Sequence, residues 1–283
     1  MRKPDFIGIG AQRSGTSWLY ACLFEHPEIC MPKKEIHFFS RESNWRKGIE
    51  WYEKIFSICA ENKICGEIST SYLASLETPK RIFERYGKEI KFFVILRNPI
   101  ERTFSAYKNA IIGKEIPKNI SFEDAIKEFS FLIEYSLYGK YLPAYFELFD
   151  RNFKVFFYDE LRNNLEGFIK VVYRFLGVTT SFRPTFLDKK VNPSRNVRFV
   201  FIDRLIYWSS VLIKEKISQK LWWYIKKSEI PGIIRKINTI RKEESIPQEV
   251  RNSLSEIFAK DLEKLEEYVP EIKRYKEKWL SLK

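Results

Sequence analysis

Short apolar runs recur along the first 160 positions, each followed by a stretch in which apolar residues return every three or four places. FIGIGA (6–11), KICGEIS (63–69), KFFVILR (91–97) and FKVFFY (153–158) have the length and composition of strands buried on both faces. The segments between them carry helical periodicity: TSWLYACLFEH (16–26, closed by Pro27), LETPKRIFERYG (76–87), PIERTFSAYKNAI (99–111) and SLYGKYLPAYFELFD (136–150). This alternation predicts an α/β fold, a central parallel β-sheet flanked by helices. From about residue 196 the pattern changes. VRFVFIDRLIYWSSVLIKEKISQKLWWYIKKS is long, helical, aromatic and basic, and 247–269 reads as a further helix with Ser245 or Pro247 at its start. The expected organisation is one domain over 1–283: an α/β core (1–195) and a C-terminal helical extension (196–283) whose Trp and Phe residues serve packing. No internal repeat or low-complexity tract interrupts it.

The first strand, loop and helix hold the first candidate chemistry. GAQRSGTSWLY (10–20) places Gly10 and Gly15 five apart, as in the phosphate loop G-x-x-x-x-G-K-[ST], but Thr16 stands where that loop has Lys. The nearest cation is Arg13. Backbone N–H groups around Ser14, Gly15, Thr16 and Ser17 would meet the positive end of the helix dipole, so the loop suits an anion even without the lysine. Thr16 and Ser17 add hydroxyls, and Arg13 adds a fixed fork of donors.

Two further elements stand beside it. In KFFVILRNPIERTFSAY (91–107), Asn98 suits a helix N-cap and Pro99 the first helical position. Arg97 then lies where a strand's carboxyl end meets a helix start, on the ligand-binding edge of an open sheet. Arg102 reads as one half of a structural salt bridge. In KKEIHFFS (33–40), an extended backbone would put Glu35, His37 and Phe39 on one face, pairing a carboxylate with an imidazole for general-base work.

Composition narrows the partners. Lys and Arg total 50 against 37 Asp and Glu, a net charge of +13, which favours anionic partners without choosing among them. Cys22, Cys30, Cys59 and Cys65 form no C-x-x-C pair, and with two His in the chain no zinc site is expected. Four buried, reduced thiols are expected instead. MRKPDFIGIGA enters a strand at once, and FVFIDRLIYWSSVLI (199–213) is interrupted by Asp203 and Arg204, so a cytoplasmic protein is expected, with peripheral contact at a membrane surface left open.

GAQRSGTSWLY…HPEI, KKEIHFFS, GEISTSYL and ILRNPIERTFSAY, in that order and roughly that spacing, resemble the sulfotransferases that use 3'-phosphoadenosine-5'-phosphosulfate, and within them the heparan-sulfate-type carbohydrate group in its small soluble form. The likeness covers most of the chain. It implies a phosphate-loop-like strand–loop–helix, with Arg13, Ser14, Gly15, Thr16 and Ser17 on the 5'-phosphosulfate and Arg97 and Ser105 on the 3'-phosphate. It implies Glu35 as catalytic base, with His37 beside it and Arg13 among the catalytic groups. A basic loop closing over the nucleotide would be VNPSRNVR (191–198), with Asn192, Ser194 and Arg195 as candidates. Adenosine 3',5'-bisphosphate would be the product, no metal would be needed, and the acceptor would be a glycan, a glycolipid or another hydroxyl compound. Nucleic acid is not an expected partner. Two departures stand out: Arg13 replaces the family's usual loop lysine, and Ile68 stands where heparan-type enzymes often carry Lys.

Two rival readings remain at this level. A kinase would need a lysine after Gly15 and an acidic magnesium ligand at a strand end. A non-enzymatic basic protein could bind glycan or lie on an anionic membrane through KEKISQKLWWYIKKS (214–228).

Overall fold

The computed structural model describes residues 1–189, 196–197, 239–240 and 245–281. Five strands, β1 (Phe6–Gly10), β2 (Ile29–Cys30), β3 (Ile64–Ile68), β4 (Lys91–Leu96) and β5 (Phe153–Phe157), form one sheet in the order β2-β3-β1-β4-β5, every pair parallel. Helices up to β5 are α1 (Thr16–Glu25), α2 (Glu42–Trp45), α3 (Ile49–Phe56), α4 (Glu77–Tyr86), α5 (Pro99–Gly113), α6 (Phe122–Glu128), α7 (Phe131–Glu134), α8 (Tyr138–Tyr141) and α9 (Pro143–Phe149). After β5 come α10 (Tyr158–Asn163), α11 (Leu165–Leu176), α12 (Gln248–Glu263) and α13 (Ile272–Leu280).

The chain divides into two compact units, Met1–Thr103 with Ser130–Asn192 and Gln248–Lys283, and Phe104–Phe129 with Pro193–Pro247. The first contains the sheet. β1, and β4 after its first residue Lys91, are apolar throughout because both faces are covered. On one face Ile7, Ile9, Phe92, Val94, Leu96, Phe153 and Phe157 join a core with Tyr145, Phe149, Tyr275 and Trp279. On the other, Phe6 meets Phe93, Phe93 meets Phe156, and Phe156 meets Phe168 and Phe175 of α11. The alternation follows from the two-residue period of a strand. In the second unit, Phe104, Tyr107 and Phe122 pack ring against ring, and a two-residue ladder pairs 196–197 with 239–240.

The four predicted strands and the helices at 16–26, 76–87 and 99–111 occur as expected. The predicted helix 136–150 is broken into α8 and α9, because Pro143 cannot continue α8 and instead opens α9. The helix predicted over 247–269 stops at Glu263, and turns follow before α13. Helix α11 was not foreseen, although its signals are present: Asn164 Oδ1 accepts from Gly167 N at 2.8 Å, and Gly177 ends it with φ 85°.

The expectation of four reduced thiols is wrong for two of them. Cys30 and Cys59 form a disulfide across Cα atoms 5.8 Å apart, while Cys22 and Cys65 are buried free thiols. Pairing β2 beside β3 brings Cys30 near the turn that precedes β3, where Cys59 sits. No helix among the described residues is long and apolar enough to cross a membrane.

Candidate functional site

The carboxyl ends of β1, β3, β4 and β5 lead into Gly10–Gly15, Ser69–Tyr72, Arg97–Asn98 and Tyr158. From β1 the chain goes to the edge strand β2, returns through β3 beside β1, then crosses to the other side through β4 and β5. Open parallel sheets bind ligands at such a reversal, beyond the strand ends.

The loop after β1 turns through left-handed backbone at Arg13 (φ 71°) and Gly15 (φ 86°). Gly15 suits that conformation, and a Cβ there would stand 3.0 Å from Leu161 Cδ1. Its carbonyl accepts from Trp18 N and Leu19 N, each at 3.0 Å, which starts α1. No side chain caps that start, the end of a helix at which negative charge is stabilised.

Arg97 lies against the same loop. Its Nη1 donates to Arg13 O at 3.0 Å, its Nη2 donates to Glu101 Oε2 at 3.1 Å, and its Cζ lies 4.9 Å from the centre of the Tyr158 ring. Asn98 caps α5 as expected, its Oδ1 accepting from Ile100 N at 3.0 Å and Glu101 N at 3.3 Å. Burial, and after it the nearby Arg97, hold the Arg13 guanidinium below its ordinary value, yet a guanidinium stays charged at working pH. Two buried polar atoms here, Ser14 Oγ and Arg97 Nε, have no hydrogen-bond partner among the described residues. Two arginines, a helix start and two unsatisfied polar atoms at one strand edge are chemistry that suits an anion.

Arg102 differs from expectation. It is fully buried, donates from Nε to Ser136 Oγ and from Nη2 to Leu132 O, and has no carboxylate partner among the described residues. Burial lowers its pKa to about 10, and Arg97 and Arg13 push the same way.

Glu35 and His37 come together, though not by the expected route. The segment is not extended: Glu35 and His37 both adopt left-handed backbone (φ 56° and 54°). Tertiary hydrogen bonds impose this, since Glu35 N donates to Ile68 O at 3.0 Å and His37 N donates to Ser69 Oγ at 2.9 Å. Phe39 therefore does not share their face and is buried against Tyr52 and Tyr72. Glu35 Oε2 lies 3.8 Å from His37 Nε2, and Glu35 Oε1 lies 3.7 Å from Lys34 Nζ. The other ring nitrogen, His37 Nδ1, is 2.6 Å from Ser71 Oγ. The Glu35 carboxylate is 37% exposed, accessible to an incoming hydroxyl.

Beneath this loop, the fully buried Glu67 accepts from Tyr52 OH (2.7 Å), Ser69 Oγ (2.5 Å) and Tyr72 OH (2.8 Å). Burial raises its pKa, while the three hydroxyl donors and His37 oppose the rise. Ser69 and Tyr72 in turn accept from His37 N and Phe38 N, so Glu67 anchors the loop that carries Glu35. On the solvent side, Lys47 Nζ lies 4.4 Å and Lys33 Nζ 5.8 Å from the ring centre of half-buried Trp51.

Arg13, Ser14, Gly15, Thr16 and Ser17 thus share one loop with Arg97 against it. Glu35 and His37 are linked to that loop through Lys34, whose Nζ donates to Ser17 Oγ at 2.6 Å. Ser105 is buried on α5, in the second unit. Asn192, Ser194 and Arg195, with the basic aromatic segment 199–228, lie outside the described residues. The sequence reading missed Lys34, Glu67 and Tyr158. The doublet Lys33-Lys34 was a signal for the first, but nothing local says which of the two reaches Ser17. No group of three or more His, Cys, Asp or Glu among the described residues could hold a metal ion.

The family model described as "Sulfotransferase domain" matches residues 3–201. Mouse heparan sulfate glucosamine 3-O-sulfotransferase 5 is 38% identical over 112 residues, 40% of this chain and 32% of that protein. The membrane-associated sulfotransferase kil1 of Dictyostelium discoideum is 38% identical over 144 residues, 48% of this chain and 30% of that protein. The chain thus spans about a third of the length of these relatives. The crystal structure of a sulfotransferase from Alicyclobacillus acidocaldarius superposes with a TM-score of 0.67 at 23% identity, covering 95% of this chain and 96% of that one, and so shares the fold.

Proposed function

The chain belongs to the sulfotransferase domain family, and on that premise we propose that it transfers a sulfuryl group from 3'-phosphoadenosine-5'-phosphosulfate to a hydroxyl or amine of a carbohydrate or glycolipid acceptor. The observation that carries this reading is the strand edge where Arg13 and Arg97 meet beside the start of α1, and where Ser14 Oγ and Arg97 Nε are buried without partners among the described residues. Unsatisfied buried donors are costly, so a site built with them fits an anionic ligand that would satisfy them. When bound, the nucleotide supplies an activated sulfuryl group on a phosphate leaving group that is already a stable anion.

The residues divide the work between two sides. Arg13, Thr16, Ser17 and the N–H groups opening α1 would hold the 5'-phosphosulfate and stabilise charge that grows there. Arg97, held by Arg13 O and Glu101 and lying against Tyr158, would hold the 3'-phosphate. Glu35 would take the proton of the attacking hydroxyl or amine, with His37 Nε2 beside it at 3.8 Å. Trp51 between Lys33 and Lys47 offers a flat apolar face with flanking cations, which suits a sugar bearing acidic groups.

The test is direct. The protein is incubated with sulfur-labelled nucleotide and a panel of glycans and glycolipids, and acceptors are scored for label. We expect label on at least one carbohydrate acceptor and a loss of about 10²-fold or more in turnover for Glu35→Ala. Near-full activity of Glu35→Ala overturns the base assignment, and label on none of the acceptors overturns the acceptor class.

A further inference from the structure

The loop lacks the lysine of a phosphate loop, and the structure contains a lysine that takes up a related position from elsewhere in the chain. Lys34 belongs to the segment after β2, 17 positions from Ser17, yet its Nζ donates to Ser17 Oγ at 2.6 Å on the first turn of α1. Its side chain is only 19% exposed, so it is not a solvated surface lysine. Its other close partner, Glu35 Oε1, is 3.7 Å away, beyond hydrogen-bond distance.

A cation at the start of a helix faces the positive end of the dipole. Arg13 and Arg97 add two more positive charges to the same strand edge. Glu35 pairs with Lys34 at 3.7 Å and Glu101 with Arg97 at 3.1 Å, which offsets only part of the positive charge gathered there. A third cation is accounted for if an anion sits among them.

Resting on the sulfuryl-transfer reading, we infer that Lys34 is a further catalytic residue, which supplies the ammonium that the loop lacks and sets it on the leaving 5'-phosphate. Arg13 offers a planar, delocalised charge, half-buried against Arg97, whereas Lys34 offers a compact charge with three donors, one of them already on Ser17. Lys34 and Glu35 are adjacent in sequence and divide the reaction. As the acceptor oxygen or nitrogen bonds to sulfur, Glu35 takes its proton. As the bond from sulfur to the phosphate oxygen breaks, its electron pair stays on that oxygen, where Lys34 donates a hydrogen bond and keeps its own proton. Ser17 holds the ammonium in place until then.

The test uses two nucleotides that differ by one phosphate. Wild type, Lys34→Met and Lys34→Arg are titrated with adenosine 3',5'-bisphosphate and with adenosine 3'-monophosphate, and turnover is measured on the best acceptor. We expect Lys34→Met to weaken the bisphosphate about tenfold or more, as for loss of a charge-assisted hydrogen bond, and to leave the monophosphate within about twofold. We expect its turnover to fall about 10²-fold, with Lys34→Arg recovering much of the binding. Unchanged binding of the 3'-monophosphate also shows that the variant is folded. Wild-type behaviour of Lys34→Met toward both nucleotides, or equal weakening of both, overturns the inference. Wild-type protein that binds neither nucleotide overturns the sulfuryl-transfer reading beneath it, and this inference with it.

Discussion

Individual residues record the backbone's demands unevenly. Gly15 was legible from its spacing to Gly10, and its φ of 86° is a left-handed conformation that glycine adopts without strain. Adding a methyl there combines backbone strain with a contact 3.0 Å from Leu161 Cδ1. Gly15→Ala should therefore cost about 1–2 kcal/mol of stability by thermal unfolding and weaken nucleotide binding with it; unchanged binding would mean that the loop does not hold the ligand. Glu35 and His37 show the opposite case. Their side chains were paired correctly and their backbone was not, because a non-glycine residue held at positive φ by Ile68 O and Ser69 Oγ leaves no local trace. The roles of Lys34 and Glu67 were not legible for a related reason. Their roles depend on partners that only the fold brings near, Ser17 for one and three hydroxyl groups for the other.

At the scale of elements, the strands were legible because burial on both faces writes unbroken apolar runs, and the first helices because their caps and periodicity agree. What the reading lost was through-space pairing. Ile29–Cys30 is too short to stand out as a strand, yet its place beside β3 allows the disulfide to Cys59. That bond closes a span of 29 positions containing Lys34, Glu35, His37, α2 and α3. Thiol titration of unfolded, unreduced protein should find two reactive cysteines, and four would show the bond absent. Cys30→Ala should lower stability by roughly 3–4 kcal/mol on the loop-closure estimate. The C-terminal helix has a related bracing role. Trp279 O accepts from Asn98 Nδ2 at 2.9 Å and Trp279 Nε1 donates to Asp159 Oδ2 at 2.9 Å, so α13 fixes the residues next to Arg97 and Tyr158.

Across the molecule, stability and pH are linked through a carboxyl far from the proposed chemistry in sequence. Asp261 on α12 is buried, accepts from Gly139 N at 2.7 Å, and is pushed up to about 6 by burial, against the pull of that hydrogen bond and of Lys264. The fold thus favours its protonated form. Its contribution is present in full below about pH 4 and is lost as pH rises to about 6. A shift of that size corresponds to something on the order of 3 kcal/mol, so the melting temperature should fall across that window. Asp261→Asn should flatten that fall, and an unchanged profile would exclude Asp261 as its source. The net charge of +13 fits a protein that handles anions, but it named no site. The site came from the sheet order, which places the loop after β1 beside Arg97 after β4.

The central claim is that these two strand ends grip the two phosphate ends of one nucleotide. A crystal structure with adenosine 3',5'-bisphosphate tests it most directly. We predict the 5'-phosphate within hydrogen-bond distance of the Gly15–Ser17 amides and the 3'-phosphate on the Arg97 guanidinium. A nucleotide bound away from both, or with its phosphates exchanged between them, would contradict the account.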